Sequence, residues 1–269
     1  MRACLIPILF LLFTTAGCTA QTKQPILPSA QPSPTVTPSP QRSETNSDAK
    51  NNSLSEDQKL HEQELRDAGR DATAKERQAR KLIERGEFAK ATELLRNTLY
   101  TDRYINSKEI GALFLCSAHK FALETNRKGN AEKAYTLMED ALKYPTDYAK
   151  LQPTQTDAIL TAPRFILTEE EYKKAGLESY LSWNEYVEIV NDYGFFLEQA
   201  DGTGYDVEVL QQVVKMSPQR EAAHLNLADA LWKHSNKQEA AAEYKEYVNL
   251  MTAKGLAGNL PSRVKTRLP

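Results

Sequence analysis

A small residue followed four positions later by a large apolar one recurs along this chain, and the recurrence narrows the folds open to it. "GEFAKATELL" (86–95) and "GNAEKAYTLM" (129–138) share a Gly, four residues, an Ala and an apolar residue four further on. "NKQEAAAEYKEYV" (236–248) repeats the second half, with Ala240 followed by Tyr244. Residues i and i+4 lie on one face of a helix. An Ala on that face lets a second helix approach closely, and the larger residue fills the adjoining pocket. "VNDYGFFLEQ" likewise places Val190, Tyr193, Gly194 and Leu197 on one face, and "AHLNLADALWKH" places Leu227, Ala228 and Leu231. Gly194 and Ala228 stand in equivalent slots 34 residues apart. A unit of that length cannot bury its apolar face alone, so it has to stack on its neighbours.

Start signals agree with helices. Ser55 and Gln58 have capping-box spacing, and a helix follows through "EDQKLHEQELRDAGRDATAKERQARKLIERG", with Gly69 as its weak point. Its charges alternate at i,i+4 spacing, as on a solvated face. Ser217 and Pro218 predict an N-cap and first turn for the helix that carries Ala228. A helix–turn–helix period of 34 residues is similar to the tetratricopeptide repeat. The resemblance is closest over 187–254, and 72–105 and 115–148 are weaker copies. It implies an all-α, helix–turn–helix solenoid over 55–254, closed by a basic capping tail at 255–269 that docks through Leu256 and Leu260. Asp206 and Val213 stand where this family favours Ala, so the second helix of the 187–220 unit departs from the pattern, and "DGTGYD" reads as a distorted turn.

Residues 146–181 interrupt the repeat as an irregular insertion. They contain two prolines and a second capping box, Thr168 to Glu171, which predicts a short helix at 169–175 ended by Gly176. Ser182 and Glu185 form a third box and open a long helix.

The N-terminus differs from everything after it. "MRACLIPILFLLF" has one Arg and then an apolar run from Leu5 to Phe13, too short to span a bilayer and suited to a secretory signal. Thr15-Ala16-Gly17-Cys18 follows. This stretch resembles a bacterial lipoprotein signal. The resemblance implies that 1–17 is removed and that Cys18 carries a diacylglyceryl thioether and an amide-linked acyl chain. Several acyl chains anchor durably where one does not. Thr19 follows Cys18 in place of the family's Asp retention signal, which implies the outer membrane, facing the periplasm. Residues 18–54 then carry Pro at 25, 28, 32, 34, 38 and 40 among Ser, Thr and Gln. Such a composition predicts a disordered tether, partly polyproline II, with a reach of roughly 100 Å.

Convergent chemistry is sparse. The 34 basic residues against 36 acidic ones give a formal charge of −2 and no general pull toward nucleic acid. Cys4, Cys18 and Cys116 make neither a paired framework nor a C-x-x-C, and Cys116 reads as a buried thiol. None of the zinc-protease, nucleophile-elbow, P-loop or dinucleotide signatures is present. No cofactor, metal or enzymatic activity is expected. His224 falls on an apolar face and reads as a core histidine. A hydrolase would need two carboxylates converging with His119.

Recognition is the remaining class. Glu188, Asn191, Phe195 and Glu198 share one face of the 187–199 helix, and Leu225, Asp229 and Trp232, with Lys233 beside them, share one face of 221–233. These eight predict a groove for a protein or peptide partner, with Phe195 and Trp232 as anchors. The alternative packing for the two aromatics is against the insertion or the C-terminal tail. The tetratricopeptide resemblance implies an adaptor in the bacterial cell envelope; a dedicated inhibitor of one target is the second reading, and an envelope-polymer hydrolase or its accessory domain the third.

Overall fold

Turn chemistry decides how the helices of this chain pair. The computed structural model describes residues 55–101, 107–148, 165–200 and 205–268. The signal segment, Cys18, the tether, the first part of the insertion and most of "DGTGYD" lie outside the described residues. The helices are α1 Glu56–Glu84, α2 Phe88–Thr101, α3 Lys108–Arg127, α4 Ala131–Tyr148, α5 Glu169–Ala175, α6 Trp183–Gln199, α7 Tyr205–Met216, α8 Glu221–Lys233, α9 Lys237–Ala253 and α10 Ser262–Arg267. Short 3-10 turns follow α5 at Leu177–Ser179 and α9 at Ala257–Asn259. Among the described residues there is no strand, so the predicted all-α class holds.

Three turns, 85–87, 128–130 and 234–236, reverse the chain between helices α1/α2, α3/α4 and α8/α9. Each uses the same pair of backbone bonds. Gly86 N–H reaches Ile83 O at 2.9 Å and Glu87 N–H reaches Leu82 O at 2.8 Å. Asn130 N–H reaches Thr125 O, and Asn236 N–H reaches Leu231 O, in the same way. This Schellman arrangement requires a left-handed residue at its centre. Gly86 and Gly129 supply it with φ of 72° and 82°, and in the third turn Ser235 is forced to φ 65°. A side chain in that region costs about 1–2 kcal/mol.

Consecutive helices pack on one another from α1 to α4, across to α6, and on to α9, while α1 also meets α3 and α6 also meets α8. The recurring slots are where they close. Ala91, Ala134 and Ala240 are fully buried, as are Leu95, Met138 and Tyr244 four residues after them. Gly194 is the tightest of these contacts: a Cβ there would stand 2.8 Å from Leu210 Cγ and 3.1 Å from Val209 Cγ1. One apolar cluster runs from α1 through α7 to Ala223 of α8, and a second links α7, α8, α9 and α10.

All three predicted capping boxes form, at Ser55/Gln58, Thr168/Glu171 and Ser182/Glu185. Helix α5 ends at Gly176 in the left-handed region, as its sequence predicts. Helix α1 runs unbroken through Gly69, and of its residues Ala72 and Ala79 are buried. Its outer face carries i,i+4 pairs such as Arg66–Glu62 at 3.0 Å and Lys75–Asp71 at 2.6 Å. Exposed pairs of this kind contribute only about 0.3–0.5 kcal/mol each.

One expectation is corrected. Helix α8 does not begin at Pro218: Ser217 and Pro218 lie in a turn, and the helix starts at Glu221 after Arg220. Asp206 and Val213, where the resembled repeat favours Ala, are both fully buried within α7. Residues 165–181 of the insertion contribute to the core. Ile166, Leu167, Tyr172, Leu177 and Leu181 are buried. Leu167 N–H donates to Tyr186 Oη at 2.8 Å, and Tyr172 Oη donates to Leu181 O. The rings of Tyr172, Trp183 and Tyr186 lie 5.0–5.6 Å apart.

Replacing the strained residue in the third turn isolates its cost. Ser235→Gly is expected to raise stability by about 0.5–1 kcal/mol, the relieved strain being partly offset by the greater entropy of an unfolded glycine. A urea midpoint that stays put or falls would contradict this.

Candidate functional site

The eight residues selected from sequence occupy α6 and α8, and the structure places them at contacts between successive helices. On α6, Asn191 is buried at 3% exposure, and its Oδ1 accepts from Asn226 Nδ2 of α8 at 3.2 Å. Glu198 lies 3.6 Å from Lys233 Nζ, which also donates to the Glu198 carbonyl. Glu188 is exposed and lies 3.6 Å from Arg220 Nη2, in the turn before α8. Phe195 is half-buried against the larger apolar cluster. The face read as a groove on α6 is therefore largely the seam with α8.

On α8 the equivalent face meets the C-terminal tail. Asp229 accepts from Arg263 Nε at 2.9 and 3.0 Å, from Arg263 Nη2 at 2.8 Å, from Arg267 Nη1 at 2.7 Å and from Tyr244 Oη at 2.7 Å. Burial first, and the bonded Asp229 carboxylate second, push the Tyr244 phenol up to about 12. Trp232 is half-buried, with Lys237 Nζ 3.9 Å and the Arg267 guanidinium 5.2 Å from its ring centre. Leu225 packs against the same cluster as Trp232. Of the two open packings for Trp232, the tail is the one that forms among the described residues. The tail docks differently from expectation: Leu256 stays 40% exposed, while Val264 is fully buried and Leu260 packs beside it.

Sequence reasoning misses Arg263, Val264 and Arg267, although a signal exists for Arg263. Asn191 meets Asn226 thirty-five residues on, Glu198 meets Lys233 at the same separation, and Asp229 meets Arg263 after 34. Adding the 34-residue separation of Gly194 and Ala228 to Asp229 reaches Arg263.

All four histidines of the chain lie against carboxylates. His119 of α3 binds Asp192 of α6 at 2.7 Å, and His234 binds both oxygens of the fully buried Asp206 at 3.0 Å. Asp206 thus occupies an alanine slot as the partner of His234. His224 is held at both ring nitrogens, Nδ1 by Glu243 at 2.6 Å and Nε2 by the Pro218 carbonyl at 2.9 Å. Two acceptors require two N–H donors, which only the imidazolium has. The Glu243 hydrogen bond is the largest influence and raises the His224 pKa, against burial, which lowers it. Among the described residues one carboxylate, Asp192, is bonded to His119, and no group of three or more His, Cys, Asp or Glu could hold a metal. Cys116 is buried. No helix among the described residues is long and apolar enough to cross a membrane.

The raised His224 pKa has a definite sign. Its contribution is complete below the unfolded value of about 6.5 and fades as pH rises through the folded pKa. The wild type is expected to be more stable to urea near about pH 6 than near about pH 8.5, and His224→Gln to shrink that difference. His119 and His234 are common to both proteins, so an undiminished difference in the variant would contradict the assignment.

Compared with known proteins, the chain matches no family model and no curated protein.

Proposed function

We propose that this chain is a lipid-anchored helical-repeat protein of tetratricopeptide type that holds a protein partner in the bacterial cell envelope. The observation that carries this reading is the repeated register of α6, α8 and α10, whose facing residues lie 34 or 35 positions apart. A stack built from one recurring unit offers an extended surface suited to macromolecular recognition. The composition of 18–54 supports a flexible leash, and Thr15-Ala16-Gly17-Cys18 supports an acylated Cys18 at the outer membrane, facing the periplasm. The mechanism is display. A domain leashed to a surface meets partners there at a raised effective concentration and performs no chemistry on them.

Cell fractionation combined with cross-linking tests both halves. Cys18→Ser is expected to move the protein from the membrane pellet to the soluble fraction. Continued membrane association of the variant would contradict the anchor. Cross-linking in intact cells is expected to capture envelope proteins on the helical stack. A single target cross-linked only through the 146–181 insertion would instead mark a dedicated inhibitor.

A further inference from the structure

The last helix is a poor helix on a good surface. Helix α10 has six residues, far fewer than an isolated helix needs in water. It is joined to α9 by residues 254–261, of which 254–259 are exposed. What holds it is a small set of contacts with α8 and α9. Val264 is fully buried in the second apolar cluster, and Arg263 and Arg267, four apart on one face, converge on the single carboxylate of Asp229. Arg267 also lies over Trp232. Relative to α8, α10 stands where α8 stands relative to α6, since the tying residues repeat at 34 and 35 positions. The end of the stack is therefore shaped for a further helix of defined chemistry: two arginines one turn apart and an aliphatic residue between them.

We propose that this end surface is a receptor for a basic amphipathic helix of a partner protein, and that α10 is a tethered occupant which the partner displaces. The inference rests on the adaptor reading and names the partner's chemistry. Charge selects that partner. Asp229 attracts guanidinium groups and repels anionic lipid, and two of the tail's cations are already committed to it. Lys254 is bound to Glu221, which weakens the tail as a lipid contact further. The exposed segment 254–259 has few contacts to lose, so α10 can open as a local unit without unfolding the stack.

A fluorescein-labelled peptide of residues 256–269 serves as the probe, added to the full-length protein. The wild type is expected to bind it weakly, because its own tail competes at an effective concentration in roughly the millimolar range. The double variant Arg263→Glu/Arg267→Glu sets two carboxylates against Asp229 and frees the surface. It is expected to bind the peptide at least about tenfold more tightly than wild type, and adding Asp229→Asn is expected to abolish the gain. A folded double variant that binds no better than wild type overturns the proposal. Loss of the helical circular-dichroism signal in that variant also overturns it, since α10 would then be core. Hydrogen exchange of the wild type gives an independent reading: amides of 262–267 are expected to exchange well before those of α8 and α9, and equal protection overturns the proposal. Cross-linked partners found elsewhere, with no peptide binding, would sink this inference and leave the adaptor reading standing. Peptide binding without any cellular partner would overturn the adaptor reading and this inference with it.

Discussion

Helices that lie side by side need somewhere for their backbones to come close, and this chain provides it with residues that have little or no side chain. Ala91, Ala134, Ala228 and Ala240 are fully buried, and the space a Cβ would take at Gly194 is already filled by Leu210 and Val209. The bulk that stabilises the core sits one turn away, in Leu95, Met138 and Tyr244. Dense interiors tolerate little added volume, so these slots set the separation of the helices and every other contact is built at that separation. The seams follow from it. Only helices held at this distance bring Asn191 to Asn226, or Asp229 to Arg263.

Much of this was legible in the residues. The small-residue slots, the three capping boxes and the stop at Gly176 are local signals, decided within a turn or two of helix, and local signals survive folding. What was not legible depends on contacts distant in sequence. Asp206 breaks the alanine pattern because His234, beyond the next helix, supplies the partner that a buried carboxylate needs. The Ser217-Pro218 pair looks like a helix start, yet α8 begins at Glu221 and the Pro218 carbonyl serves His224 instead. Ser235 stands where a glycine would be easier because the two bonds of its own turn, Ser235 N–H to Trp232 O and Asn236 N–H to Leu231 O, call for a left-handed residue there. Helix α10 is too short to show a period, so Val264 gives no signal, while Leu256 draws attention as an apolar residue after a helix stop and remains exposed.

The candidate groove has a related explanation. Periodicity assigns a residue to a face but not what covers that face. Leu225, Asp229 and Trp232 do share one side of α8, and the tail lies on it; Asn191 and Glu198 share one side of α6, and α8 lies on it. Residues that looked available for a partner are the ones by which the stack holds itself together. On the adaptor reading proposed above, recognition falls to the outer faces of the helices and to the surface now covered by α10. The end at α8 and α9 has its chemistry written out by its present occupant, which is why the tail, rather than the seam, carries the functional inference. The histidine–carboxylate contacts add a second theme. Those of His119, His224 and His234 each tie one helix to a neighbouring helix or turn. At His224, where both ring nitrogens face acceptors, the hydrogen bond is charge-assisted and stronger than one between neutral groups.

The most direct test enlarges one slot and one control position. Ala240 is fully buried and Ala242, on the same helix, is exposed. Urea unfolding of Ala240→Leu should show a loss of about 1–3 kcal/mol from overpacking, whereas Ala242→Leu should stay within about 0.5 kcal/mol of wild type. If Ala240→Leu is tolerated as well as Ala242→Leu, close approach at the small-residue slots does not set the spacing of these helices, and the fold must be held at that spacing by something else.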